Sequence, residues 1–156
     1  MFLTILTGIL STLIAITALV GNGFICLTVK RNQKLHTATF VLIVGQCISD
    51  MMFGVCLMTC LVFCSDWFIN RLGNGTNICS LSGTIFTASY TISSLTMTTL
   101  AVERYMLIFY PLKPKMSLRQ AWSLNAFIYV FGHFLAYSSQ LGYSYRIMFG
   151  KVEYQI

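Results

Sequence analysis

Charged residues are spaced along this chain in a way that divides it into four long, nearly uncharged runs. Residues 2–29 hold no charge. Residues 37–64 are interrupted only by Asp50. Residues 79–102 are uncharged until Glu103, and the apolar character resumes after Arg104 to about residue 110. Residues 120–145 are again uncharged. Each run exceeds the roughly 20 residues a helix needs to cross about 30 Å of hydrocarbon. Inside a bilayer a helix satisfies its own backbone hydrogen bonds, and these runs are too long and too unalternating for barrel strands. The pattern predicts an all-α membrane protein: a transmembrane helix bundle with spans at about 2–29, 37–64, 79–110 and 120–145 in a single transmembrane domain.

Composition supports the same solvent. Hydrophobic residues make up 56% of the 156 positions and charged residues 9%, where a soluble domain carries about 25% charged residues. Mean hydropathy is +0.76. The net charge of +6 does not point to nucleic acid, because the basic residues sit in short clusters between apolar runs. Five of the six cysteines lie within or at the ends of those runs and no CxxC pair occurs, so neither a disulfide scaffold nor a zinc site is supported. The first run lacks a basic start, is too long for a signal-peptide core and is followed by Lys30 and Arg31. It reads as an uncleaved span.

The basic residues also predict orientation. Lys30, Arg31 and Lys34 follow the first span, and Arg104, Lys113, Lys115 and Arg119 flank the end of the third. Only Arg71 follows the second span, and Arg146 and Lys151 lie in the tail. The bias places the N-terminus outside and both basic loops in the cytoplasm. Asn74-Gly75-Thr76 is a glycosylation sequon in the loop expected outside; the same Asn-Gly pair also reads as a plain turn.

Several polar residues stand where lipid would not tolerate them. Asp50 lies mid-span one turn after Gln46, and a charge at that depth costs about 2.5–3.5 kcal/mol even on the lenient insertion scale. It reads either as an ion or proton site or as a hydrogen-bonded structural group. Asn22, between Gly21 and Gly23, reads as glue between closely approaching helices or as a ligand-site residue. Ser and Thr fill 11 of the 24 positions from 79 to 102. Such a helix suits close contact and interhelical hydrogen bonds and is expected to be the central one. Glu103 and Arg104 are either a stop signal or a pair held in a protein-lined cavity. His36 and His133 are far apart in the sequence and no metal-ligand spacing occurs, so an enzyme is not expected; His133 reads as a packing residue.

Taken together these residues resemble the rhodopsin-like (class A) G-protein-coupled receptors. The match rests on Gly21-Asn22, on KLHT at 34–37, on Asp50 in CISD, on Trp67 before Cys79, and on Arg104 lying 25 residues after Cys79 in the motif Glu103-Arg104-Tyr105. Ile108, Pro111 and Leu112 follow as that family has them. The resemblance implies four spans of a seven-span receptor fold. It implies that Arg104 is a switch restrained by Glu103, supported by Tyr105, and that neutralising Glu103 favours the active state. Ile108, Pro111 and Leu112 would form the surface that docks on a heterotrimeric G protein. Asp50 and Ser93, with Asn22, would form half of a polar network holding an allosteric sodium ion, and no other cofactor is implied. Cys79 would pair with a cysteine of the second extracellular loop; no cysteine follows it, so its partner is expected to be absent. The resemblance further implies a multi-pass protein of the plasma membrane, surrounded by lipid, sensing an extracellular ligand.

There are departures from the family pattern. Tyr129 stands where the fourth span has Trp, and Trp122 lies two turns earlier. Gln46 replaces a usual Leu. Trp67 lies 12 positions before Cys79, an enlarged loop. Phe86 replaces the aspartate of amine receptors, which argues against a monoamine ligand, and Ser82 stands at a counterion position of visual opsins. The chain is expected to be the front part of a receptor, unable to signal alone. The alternatives are a short product that forms a dimer with full-length receptors and modulates them, and an unrelated four-span membrane protein.

Overall fold

The computed structural model describes residues 2–63, 75–112 and 114–153. They form α1 (Phe2–Arg31), a one-turn 3-10 helix (Gln33–Leu35), α2 (Ala38–Phe63), α3 (Gly75–Phe109) and α4 (Leu118–Glu153). At about 1.5 Å per residue, even α2, with 26 residues, is longer than the roughly 30 Å hydrocarbon core. Among the described residues, Ile5–Arg31, Ala38–Val62 and Ile78–Phe109 are long and apolar enough to cross a membrane. The fourth expected span lies within α4, which has the length, but its apolar character is diluted by Asn125, His133 and Ser138.

The helix ends follow from local chemistry. After α1, the Leu35 and His36 N–H groups donate to Asn32 O and Gln33 O, and His36 Nε2 lies 3.0 Å from Val29 O. That turn folds the chain back into α2. At the end of α3 the Tyr110 N–H still donates to Met106 O at 3.0 Å. Pro111 then disfavours helical geometry at the preceding residue. α4 opens with a reciprocal cap. The Ser117 N–H donates to Gln120 Oε1 at 2.9 Å, and the Gln120 N–H donates to Ser117 Oγ at 3.3 Å, so two otherwise orphan donors are satisfied.

Sequential helices pack antiparallel, α1 on α2, α2 on α3 and α3 on α4, while α2 and α4 pack side by side in the same direction. α2 is therefore the hub, with 39% of its apolar window buried against 22% for α3 and 6% for α1. This corrects the expectation that the hydroxyl-rich third span is central. Its hydroxyls mostly bond within their own helix. Thr84, Thr87, Ser89, Thr91, Ser94, Thr96, Thr98 and Thr99 each donate to the carbonyl four residues back. A hydroxyl satisfied that way needs no protein neighbour. Two glycines allow close approach to α2. A side chain at Gly54 would press within 3.2 Å of Ala15 O, and one at Gly45 would overlap the Asn125 carboxamide.

Candidate functional site

Two polar clusters link α2 to α3. The deeper one joins Gln46, Asp50 and Ser93. Ser93 Oγ donates to Asp50 Oδ1 at 3.0 Å. Gln46 Nε2 donates to Asp50 Oδ1 at 3.1 Å and lies 3.3 Å from Oδ2. The same nitrogen donates to Ser93 Oγ. One turn away, Ser49 Oγ crosses to Ser89 O at 2.9 Å, fully buried. Asn22 does not join this cluster; its Nδ2 donates to Ala18 O in its own helix at 2.9 Å. Beside it, Gly21 has open space and Gly23 meets only Met51 Sδ, at 3.8 Å, so the two glycines do not seat a close helix contact here.

A sodium ion at Asp50 would need oxygen lone pairs turned towards it. A single point within reach of both Asp50 and Ser93 is the place for such an ion. Gln46 Nε2 holds that point and presents N–H hydrogens there. The three side chains as arranged do not fit the ion.

The second cluster lies about three helical turns towards the end of the bundle. Thr39 Oγ1 donates to Glu103 Oε1 at 2.6 Å. Glu103 Oε2 is buried without a hydrogen-bond partner. Among the described residues no ion pair joins Glu103 to Arg104, and Arg104 is exposed. Tyr105 packs against Phe109 in a tilted ring contact with centroids 4.6 Å apart. Ile108 is 71% and Leu112 99% exposed, and Pro111 lines a cleft of about 560 Å³ together with Glu103, Met106, Tyr110, Lys115 and Leu124. Arg104, Ile108 and Leu112 are thus all exposed at or just beyond the last turns of α3, and Glu103 is turned inward to α2.

α4 is fastened to α2 by two bonds to main-chain carbonyls. Asn125 Nδ2 donates to Val41 O at 3.1 Å, and Tyr129 OH donates to Gly45 O at 2.7 Å. Tyr129, standing at the family's Trp position, is an interhelical anchor, while Trp122 is exposed. At the other end of the bundle Phe86 packs on Phe53 with centroids 4.5 Å apart.

Cys79 is disulfide-bonded, which corrects the expectation that this chain holds no partner for it. The reason is topological: the end of α2 and the start of α3 lie at the same end of an antiparallel hairpin, so a cysteine preceding Cys79 is in reach. Cys26, Cys47, Cys56 and Cys60 are free, and the partner lies outside the described residues. Asn74 and Trp67 also lie outside them, while Gly75 and Thr76 of the sequon open α3. Sequence reasoning missed Thr39 and Asn125. Thr39 was within reach of it, because the antiparallel register set by Asp50 and Ser93 places Thr39 opposite Glu103. Asn125 had a weaker signal, as an isolated amide in an apolar run.

Residues 21–148 match the family model for the 7 transmembrane receptor (rhodopsin family). The chain is 33% identical over 110 residues to neuropeptide FF receptor 2 of Mus musculus, an alignment covering 70% of this chain and 26% of that protein. It is 32% identical over 117 residues to neuropeptide FF receptor 2 of Rattus norvegicus, covering 75% of this chain and 28% of that protein. It is 34% identical over 110 residues to neuropeptide FF receptor 1 of Homo sapiens, covering 70% of this chain and 25% of that protein. The chain therefore spans about a quarter of the length of these relatives.

Proposed function

Because this chain belongs to the rhodopsin family of seven-transmembrane receptors, and so to a family of receptors and not of enzymes, we propose that it supplies the front spans of a plasma-membrane receptor that answers an extracellular peptide by activating heterotrimeric G proteins. The N-terminus lies outside and the basic end of the bundle faces the cytoplasm. The observation that carries this reading is the placement of Arg104. It is an exposed cation near the end of α3, with exposed Ile108 one turn on and the 99% exposed Leu112 just past the helix end. A charged group flanked by uncovered apolar side chains suits a protein partner better than water. The peptide assignment rests on the names of the relatives and on Phe86, whose ring is packed on Phe53 and offers no carboxylate to an amine.

On this reading Thr39 holds the Glu103 carboxylate, and so couples the α3 end to α2 while Arg104 stays available to the G protein. The test replaces the matching segment of a neuropeptide FF receptor with residues 21–148 of this chain, and measures peptide-stimulated G-protein activation in cells that display the chimera. The chimera signals. Arg104→Ala abolishes the response without removing peptide binding. Leu112→Ala weakens coupling by about 5–30-fold, the worth of one or two kcal/mol at a docking residue. A displayed, peptide-binding chimera whose signalling is indifferent to Arg104→Ala overturns the reading.

A further inference from the structure

We infer that the Gln46 carboxamide takes the place of a cation between Asp50 and Ser93, so that this receptor segment has no sodium site there. The inference rests on the geometry of α2 and α3 and not on the proposed signalling.

An ionised carboxylate in an apolar bundle must be compensated, either by a cation or by hydrogen-bond donors. Here the compensation comes from within the chain. Asp50 Oδ1 accepts from both Gln46 Nε2 at 3.1 Å and Ser93 Oγ at 3.0 Å. One amide nitrogen has two hydrogens. In this cluster one is directed to Asp50 and the other to Ser93. The Ser93 hydroxyl in turn spends its own hydrogen on Asp50. The ring closes on itself: every hydrogen of the cluster points at an oxygen, and the nitrogen fills the bridging point.

The orientation of the amide is dictated by the charge. Turning Gln46 over would set its Oε1 against the Asp50 carboxylate, acceptor against acceptor. In the arrangement observed, Oε1 points away and is buried without a partner. Leaving that carbonyl unpaired costs free energy, and the chain bears it to keep N–H groups on the carboxylate. The helix geometry fixes the pairing further, since Gln46 and Asp50 are four residues apart on α2 and so share a face. An apolar residue at position 46 leaves Asp50 with only Ser93 and frees the bridging point.

The test uses the whole 156-residue chain in lipid nanodiscs and follows thermal unfolding while sodium replaces N-methylglucamine at constant ionic strength. The unsubstituted chain keeps its Tm across the exchange. Gln46→Leu gains a sodium-dependent rise of about 3 °C at saturation, and the added Asp50→Asn change removes it. Gln46→Met serves as a second opening variant should the leucine form not fold. The inference is overturned if the unsubstituted chain shows a saturable sodium-specific rise that Asp50→Asn abolishes, or if neither opened variant responds to sodium. Because unfolding is the readout, the outcome is independent of whether a chimeric receptor signals.

Discussion

Asn125 and Gly45 show how far single residues decide the packing of this bundle. Between lipid-solvated helices there is no hydrophobic drive to associate, so close approach and interhelical hydrogen bonds take its place. Gly45 makes room for the Asn125 carboxamide, and it also leaves its carbonyl open to Tyr129 OH. A methyl group at position 45 forces Asn125 out of its site. Gly45→Ala is therefore expected to destabilise the α2–α4 contact by about 1–3 kcal/mol, the range for overpacking. Tyr129→Phe removes one hydrogen bond and keeps the ring, costing about 0.6 kcal/mol by the average for bonds between membrane helices. Equilibrium unfolding in mixed micelles distinguishes the two. A larger loss for Tyr129→Phe than for Gly45→Ala would show that the hydroxyl, not the close approach, holds α4.

Individual elements were legible to very different degrees. The helices were readable because a bilayer core forces any long uncharged run to be helical; α1 ends at the Lys30-Arg31 pair, and α3 ends at Phe109, just before Pro111 and six residues past Glu103. Their partners were less so. Periodicity registers that a Ser or Thr is polar but not where its hydrogen goes, so the run from Ser80 to Thr99 promised interhelical bonds and delivered mostly bonds to its own carbonyls. Ser93 donates to Asp50 across the α2–α3 contact, and Gln46, legible as a polar residue one turn from Asp50 and as a departure from the family's Leu, sets its nitrogen between the two. The Cys79 bond is not legible from the residues that follow it, because the hairpin returns earlier residues to the same end. The start of α4 was likewise readable in principle, since Ser117 and Gln120 have capping-box spacing. Ser117→Ala leaves one donor of that box unpaired and is expected to cost about 1 kcal/mol. Hydrogen exchange confined to the first turn of α4 is the measurement, and unchanged protection there would dismiss the cap.

At the scale of the whole molecule Lys30, Arg31, Arg104, Lys115 and Arg119 collect at one end. α1 finishes with Lys30 and Arg31, α3 brings Arg104, the segment leading into α4 brings Lys115, and the first turn of α4 brings Arg119. The Thr39–Glu103 and Asn125–Val41 bonds hold these helix ends together. Each Lys or Arg near an anionic cytoplasmic leaflet is worth about 1 kcal/mol, and short basic loops resist translocation. The charge asymmetry thus does two jobs in the proposed receptor. It fixes which end meets the cytoplasm, and it places Arg104 with its exposed apolar neighbours on that side. The two consequences separate experimentally. An epitope tag ahead of Met1 is expected to be stained by antibody on intact cells. Replacing Lys30, Arg31 and Lys34 together by Gln removes about 3 kcal/mol of this bias and lowers the stained fraction, since Arg104, Lys113, Lys115 and Arg119 remain to hold the later spans. Staining that requires permeabilised cells, with the natural basic residues in place, would put Arg104 on the wrong side of the membrane for a G protein.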